Sequence, residues 1–240
     1  MRLQSIIHAI YPPQCVACDA LAMEDHGLCG PCWSETEFIA GAICDTCGAP
    51  LLGGDVSEIA QCDDCMTIAR PWNRGRAALR YSGNGRKLSL RLKHGDRADL
   101  AVPVAKWMAL SATPLITSKT VLVPVPLHWT RLVSRRYNQA AELARALASL
   151  TDTPVIPDAL VRPRRTPQMR RQSREDRFSA LAGSMTAHPK RAVQLRDRHV
   201  LLIDDVMTTG ATFAAATEAC LTAGADHVNV LALARATKDA

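Results

Sequence analysis

The chain of 240 residues lacks several features that mark particular classes of protein. It contains no run of about 20 consecutive apolar residues, the length that a membrane-spanning helix needs, so we expect no membrane insertion. Aromatic residues make up only 4% of the chain, which is few for a protein that binds nucleic acid chiefly by base stacking. A hydrophobic content of 48% and a mean hydropathy of −0.03 exclude a disordered chain and indicate a globular protein.

The first residues also lack the pattern of a secretory signal. One arginine and a short apolar patch run into Pro12 and Pro13, and no small-residue cleavage site follows. We therefore expect a cytoplasmic protein.

Basic residues are scarce in the first part of the chain, and cysteines are scarce in the rest. Residues 1–70 hold 2 Lys and Arg against 10 Asp and Glu, a net charge of −8, whereas residues 71–240 hold 27 against 13, a net charge of +14. Only Cys220 of the nine cysteines lies beyond residue 65. Both distributions predict an acidic domain over residues 1–70 and a basic domain over residues 71–240.

The other eight cysteines form four Cys-x-x-Cys pairs separated by 10, 11 and 14 residues. The pairs are Cys15 with Cys18, Cys29 with Cys32, Cys44 with Cys47, and Cys62 with Cys65. One such turn places two thiolates on one side of a metal, and two turns complete the tetrahedral site that zinc prefers. The four pairs therefore predict two structural zinc ions.

Three other uses of paired cysteines compete with zinc. A disulfide framework needs an oxidising compartment, which the N-terminal residues do not indicate, and a thioredoxin-like motif uses one pair rather than four. An iron–sulfur cluster stays open on ligand identity alone. Shorter loops favour pairing the turns in sequence over a cross-brace of first with third and second with fourth. A module this acidic is a poor DNA-reading finger, because fingers that bind DNA carry basic residues.

The basic domain alternates apolar strands with helices. Residues 75–82, 120–125, 199–203 and 226–232 have the composition of strands, and residues 83–93, 98–112, 138–150 and 212–222 that of helices. This alternation predicts an α/β fold with a parallel sheet covered on both faces. Ligands of such sheets bind beyond the carboxyl ends of the strands.

Two carboxylates and a threonine-rich turn follow residues 199–203. The segment is Asp204, Asp205, Val206, Met207, Thr208, Thr209, Gly210, Ala211 and Thr212, and a predicted helix begins at its end. Two carboxylates can hold the cis hydroxyls of a ribose, and threonines at a helix N-terminus can bind a phosphate. The competing interpretation is an aspartate pair that binds only Mg²⁺, followed by an ordinary threonine N-cap. The whole string favours a ribose 5-phosphate site.

This segment resembles the phosphoribosyl pyrophosphate (PRPP) loop of type I phosphoribosyltransferases. Residues 92–96, 123–128 and 131–139, together with the paired cysteines, extend the resemblance to the ComF family over nearly the full length. The resemblance implies a parallel-sheet type I phosphoribosyltransferase fold with a small N-terminal double zinc-ribbon domain. It also implies that Mg²⁺ accompanies PRPP.

The resemblance further implies roles for individual residues. Asp204 and Asp205 would be catalytic, and residues 206–212 would bind PRPP. Val125, Pro126 and Leu127 would hold pyrophosphate. Arginines of two segments would also bind it: Arg135 and Arg136 in one, and Arg164 and Arg174 in a flexible loop over residues 162–178. The chain departs from the family pattern at Arg136, where glycine is usual, and at Phe178, where asparagine is common.

Three hypotheses for function are open on the sequence. ComF relatives act in DNA uptake, which implies a role in natural competence or single-stranded DNA handling, with the competence machinery as partner. The alternative is an active phosphoribosyltransferase that transfers ribose 5-phosphate from PRPP to an unknown acceptor, and a third is a PRPP-sensing regulator without turnover. The charge of +14 does not separate them, because DNA and PRPP are both polyanions.

Overall fold

The computed structural model describes residues 11–53, 59–94, 97–163 and 174–237. Within these ranges a four-stranded, all-parallel sheet forms the centre of the molecule, in the order β1, β6, β5, β2. Its strands are β1 (Gly75–Arg80), β2 (Thr120–Pro124), β5 (His199–Met207) and β6 (His227–Arg235). The predicted α/β fold with a parallel sheet is confirmed.

Helices cover both faces of this sheet. One face carries α3 (Gly83–His94), α4 (Ala101–Ala112) and α6 (Gln139–Thr151), and the other carries α8 (Ala211–Thr222). Successive residues of β5 alternate between the two faces: Val200 and Leu202 pack on the α8 side, and Leu201 and Ile203 on the α3 side. All four of these side chains are buried, as expected for a central strand of a parallel sheet.

Shorter elements connect the main strands and helices. Helix α5 (Trp129–Arg135) follows β2, and a separate antiparallel pair is formed by β3 (Leu160–Val161) and β4 (Thr186–Ala187), with α7 (Arg174–Leu181) between them in the chain. Short 3₁₀ turns occupy Ala98–Leu100, Thr113–Leu115 and Ala192–Leu195.

In its described residues, the N-terminal cysteine-rich segment contains two single-turn helices, α1 (Gly30–Ser34) and α2 (Asp63–Thr67). Its residues take part in the cores of the sheet rather than forming a separate one. Cys44, Cys47 and Cys65 pack with the α8 face, whereas Cys15 and Cys32 pack with the α3 face. The division of the chain at residue 70 stays a prediction.

Strand β5 extends beyond its predicted end. The sequence places Asp204 and Asp205 after the strand, but Asp204, Val206 and Met207 pair with Ala232, Ala234 and Arg235 of β6. The longer partner strand explains the extension. Among the described residues, no helix has the length and apolar character needed to span a membrane.

Candidate functional site

Eight cysteines form two four-sulfur clusters in the described chain. Cys15, Cys18, Cys29 and Cys32 make up the first, Cys44, Cys47, Cys62 and Cys65 the second, and the sulfurs of each cluster lie within 4.8 Å of one another. The Cys18–Cys29 and Cys47–Cys62 Sγ separations are 3.6 and 3.7 Å. Tetrahedral zinc with bonds of about 2.3 Å sets sulfurs about 3.8 Å apart, so both clusters fit zinc. All nine cysteines are free thiols, and sequential pairing is confirmed.

The backbone of β5 carries both predicted acids at the carboxyl edge of the sheet. The Asp205 carboxylate is buried and lies 2.8 Å from the Lys93 ammonium of α3. The Asp204 carboxylate accepts a hydrogen bond of 2.9 Å from the Asp205 amide. Burial, followed by the neighbouring Asp205 charge, raises the pKa of Asp204 to about 8, and Lys93 acts in the opposite direction. The pair therefore offers one ion-paired carboxylate and one carboxyl that titrates near neutral pH.

The threonine-rich turn leads from β5 into α8, as the sequence predicts. Gly210 is the N-cap residue with φ of +84° and has no side chain to cap the helix, while Thr209 Oγ1 accepts a hydrogen bond of 3.4 Å from the Ala211 amide. Thr208 is exposed, and Thr209 and Thr212 are half-buried. The other N–H groups of the first turn and the positive end of a 12-residue helix closely follow the acid pair in the chain, an arrangement that favours a phosphate.

The segment after β2 borders the same edge of the sheet. The Val125 amide donates to the Ile203 carbonyl at 2.9 Å, and the Asn138 side chain donates to the Val125 carbonyl at 3.0 Å. Pro126 and Leu127 line a cavity of about 860 Å³ together with Trp129, Arg136, Tyr137 and Arg162. Arg135 ends α5, and Arg136 follows it in a left-handed conformation.

Of the two arginines predicted in the flexible loop, the structure describes Arg174 but not Arg164. Arg164 lies outside the described residues, as do residues 165–173 of the predicted flexible loop. Arg174 begins α7. Arg162 is the loop arginine that the structure places near the acids: burial lowers its pKa, the Arg131 charge adds to this, and the Asp204 charge opposes it.

Comparisons with known proteins bear on both halves of the chain. Residues 6–66 match a family model described as a double zinc ribbon domain. Competence protein F of Haemophilus influenzae is 26% identical over 230 residues, covering 93% of this chain and 97% of that protein. This chain is similar to competence protein F over nearly its full length. DNA utilization protein YhgH of Escherichia coli is 26% identical, with 90% and 93% covered, and competence protein ComFC of Bacillus subtilis is 27% identical, with 80% and 77% covered.

Solved phosphoribosyltransferases are also similar to this chain. A glutamine PRPP amidotransferase from B. subtilis is 17% identical with a TM-score of 0.41, and the alignment covers 60% of this chain and 30% of that larger enzyme. A hypoxanthine phosphoribosyltransferase from Staphylococcus aureus is 14% identical with a TM-score of 0.31, covering 61% and 69%. The fold assignment rests on the parallel sheet and its helices described above.

Three residues of this chain that sequence reasoning did not single out contact the turn. Arg235 at the end of β6 donates to the carbonyls of Met207 and Thr208 at 3.2 and 2.7 Å. Arg70 donates to the Thr209 carbonyl at 2.8 Å. The Trp72 ring lies beneath Gly210, where an added Cβ would approach the ring to 2.7 Å. No local motif marks these residues, because each is 27 or more positions in the chain from the residue that it contacts.

Proposed function

We propose that this protein binds PRPP with Mg²⁺ at the carboxyl ends of β5 and β2 and acts in single-stranded DNA handling or DNA uptake in the cytoplasm. The observation that favours PRPP most directly is the acid pair on β5 that closely precedes the N-terminus of α8 in the chain. The names of three relatives, competence protein F, DNA utilization protein YhgH and competence protein ComFC, support the DNA role.

In this proposal the Asp204 and Asp205 carboxylates hold the ribose hydroxyls, with Lys93 paired to Asp205. The amides and hydroxyls of residues 206–212 bind the 5-phosphate at the helix N-terminus. Pyrophosphate with its Mg²⁺ lies toward Val125, Pro126 and Leu127 and the arginines at 135, 136, 164 and 174. Carboxylate and phosphate oxygens are the ligands that Mg²⁺ prefers, so the ion would contact both the acids and PRPP.

The cavity beside the site suits a strand of nucleic acid. Arg136, Arg145 and Arg191 contribute to its lining, where Glu142 pairs with Arg145 and Asp158 with Arg191, and arginines of this kind can follow a phosphate backbone. The Trp129 ring lies on the same lining and is 66% exposed, so it can stack on an unpaired base. Single-stranded DNA is therefore the partner that we propose for this cavity, with the competence machinery as its source.

The cavity also favours a second candidate function, transfer of ribose 5-phosphate to an acceptor. A nucleophile on the acceptor would attack the ribose C1 atom while the bond to pyrophosphate breaks. Pyrophosphate would leave with the bonding electrons, and the acceptor would release its proton. About 860 Å³ is room enough for a nucleobase or a strand end. Release of pyrophosphate in the presence of DNA would distinguish this function from binding alone.

The first experiment is calorimetry of Mg²⁺–PRPP binding to the zinc-loaded protein, with the double variant Asp204→Asn and Asp205→Asn. The neutral isosteres keep the side-chain volume and remove the charges. We expect at least about a hundredfold weaker PRPP binding, the effect of losing several charged hydrogen bonds. Asp226→Ala, at the opposite edge of the sheet, serves as control and should bind as the wild type does. Unchanged binding by the double variant would refute the site.

A further inference from the structure

The second cysteine cluster lies directly behind the turn between β5 and α8. The guanidinium of Arg235 reaches the Cys47 Sγ at 3.6 Å on one side and the Met207 and Thr208 carbonyls on the other. Arg70 is linked to the cluster through Trp72: its guanidinium lies over the Trp72 ring, and the Trp72 indole donates to the carbonyl of Thr46, which lies between Cys44 and Cys47. Arg70 also donates to the Thr209 carbonyl. Arg235 directly, and Arg70 through Trp72, thus join the cluster to three consecutive carbonyls.

The buried positive charge of Arg235 needs the negative charge of the second cysteine cluster. Only 3% of the residue is exposed, and no carboxylate among the described residues lies within ion-pair distance of it. An unpaired buried charge is costly, so a counter-charge is required. Four thiolates around zinc leave a net charge near −2, which supplies it. Removing the metal would remove the fixed arrangement of four thiolates that faces Arg235.

The carbonyls that the arginines hold determine where the neighbouring amides point. In a planar trans peptide the C=O of one residue and the N–H of the next point in opposite directions. Fixing the carbonyls of Met207, Thr208 and Thr209 toward the cluster therefore directs the N–H groups of Thr208, Thr209 and Gly210 away from it. These are the groups that a phosphate at the N-terminus of α8 would accept from.

The packing around the turn has little freedom to adjust. The Trp72 indole donates to the Thr46 carbonyl at 2.6 Å and packs under Gly210, and Arg70 lies over the rings of Trp72 and Phe178. Thr46 is between Cys44 and Cys47. Movement of the second cluster would therefore be passed to the turn through a side-chain stack as well as through the guanidinium groups.

We propose that Arg235 and Arg70 are positioning residues that couple the metal centre of Cys44, Cys47, Cys62 and Cys65 to the phosphate-binding turn, so that zinc at this centre sets the affinity for PRPP. The proposal rests on the proposed function for its ligand, and on the contacts above for its mechanism. The first cluster has no such role: Arg91 ties it to α3 through the Val16 and Ala17 carbonyls.

The test compares Arg235→Met with Arg74→Met in the full-length, zinc-loaded protein. Arg74 also ties the second cluster region to the sheet, through Asp45, but does so at the opposite end of the strands and contacts no residue of the turn. We expect Arg235→Met to retain two zinc ions and to bind Mg²⁺–PRPP at least about tenfold more weakly. Arg74→Met should bind as the wild type does, and Arg235→Lys should recover part of the affinity. Equal binding by Arg235→Met and wild type would overturn the proposal.

Amide hydrogen exchange separates failure of this proposal from failure of the proposed function. If the wild type does not bind PRPP, the proposed function is wrong, and exchange at residues 208–210 without ligand decides the coupling. Faster exchange in Arg235→Met than in Arg74→Met supports it, and equal rates refute it.

If Arg235→Met does not fold, Cys62→Ser and Cys18→Ser replace it, each removing one ligand from one cluster. Loss of PRPP affinity, or of amide protection, only in Cys62→Ser supports the coupling, and equal effects refute it.

Discussion

Asp204 and Asp205 are neighbours in the sequence, yet the fold gives them different electrostatic surroundings. Asp205 faces the Lys93 ammonium, whereas Asp204 faces the Asp205 charge from a buried position that raises its pKa to about 8. In the unfolded chain the pKa of Asp204 returns to 3.8. The folded protein therefore binds a proton that the unfolded chain has lost, and stability falls as pH rises from about 4 toward about 8.

Replacing Asp204 by asparagine fixes the neutral state and should remove this pH dependence. Between about pH 6 and pH 8 we expect Asp204→Asn to gain at least ~1 kcal/mol over the wild type, or about 2–4 °C in Tm for a chain of this size. Thermal unfolding of both proteins without PRPP, with zinc content checked at each pH, measures this. Parallel pH curves for the two proteins would show that Asp204 does not titrate in this range.

At the scale of elements, β5, the turn and α8 form one unit whose geometry depends on Gly210. Its φ of +84° lies in the left-handed region, and the Trp72 ring occupies the space where a Cβ would go. A side chain there is unfavourable for two separate reasons, backbone strain and a clash of 2.7 Å. Gly183 shares only the first reason, because its φ is +62° and nothing lies within 4 Å of its Cβ position.

We expect Gly210→Ala to weaken PRPP binding at least about tenfold and to destabilise the protein by more than the ~1 kcal/mol that backbone strain alone costs. Gly183→Ala should lose only the strain contribution and should bind PRPP normally. Calorimetry and denaturant unfolding of the two variants give both quantities. Equal losses in the two alanine variants would mean that Trp72 moves aside without consequence.

The elements show where sequence reasoning succeeds. The pairing of cysteines three residues apart, and the apolar runs at 120–125 and 199–203, are local patterns, and local patterns predicted the zinc clusters and the core strands. The contacts of Arg235 with Cys47 and of Arg70 with Thr209 join residues 188 and 139 positions apart. Periodicity and motif spacing do not predict contacts over such distances in the sequence, because they report only on residues within one turn of a helix or a few positions along a strand.

Across the whole molecule, some of the opposite charges of the two halves form ion pairs that join them. Asp45 forms ion pairs with Arg74 and Arg76, and Asp19 pairs with Arg91. Part of the charge of +14 therefore faces the cysteine-rich segment. The cavity by Trp129 is also lined by arginines, of which Arg145 pairs with Glu142 and Arg191 with Asp158, and this is where we expect nucleic acid to bind.

Single-stranded DNA should bind in a salt-dependent manner and should depend on Trp129. We expect Trp129→Ala to lose about 1–3 kcal/mol of DNA binding, or roughly 5- to 150-fold, because one stacked base is lost. Trp33→Ala removes a tryptophan of similar exposure from the acidic segment and should have no effect on DNA. Fluorescence anisotropy of a labelled oligonucleotide over a salt series measures both. Equal DNA affinities for the two variants would place the DNA elsewhere.

The strand order affects how the protein folds during its synthesis. β6 lies between β1 and β5 and is made after both, while the cysteine-rich segment, whose side chains complete both cores, is made before all three. The early segment can take up its metals, but its apolar surface stays uncovered until β6 arrives. Translation that stops before residue 227 would leave β1 without its neighbour and Cys47 without Arg235. An incomplete chain would therefore expose both unfinished cores together and become a target for proteolysis, instead of leaving behind a folded first half.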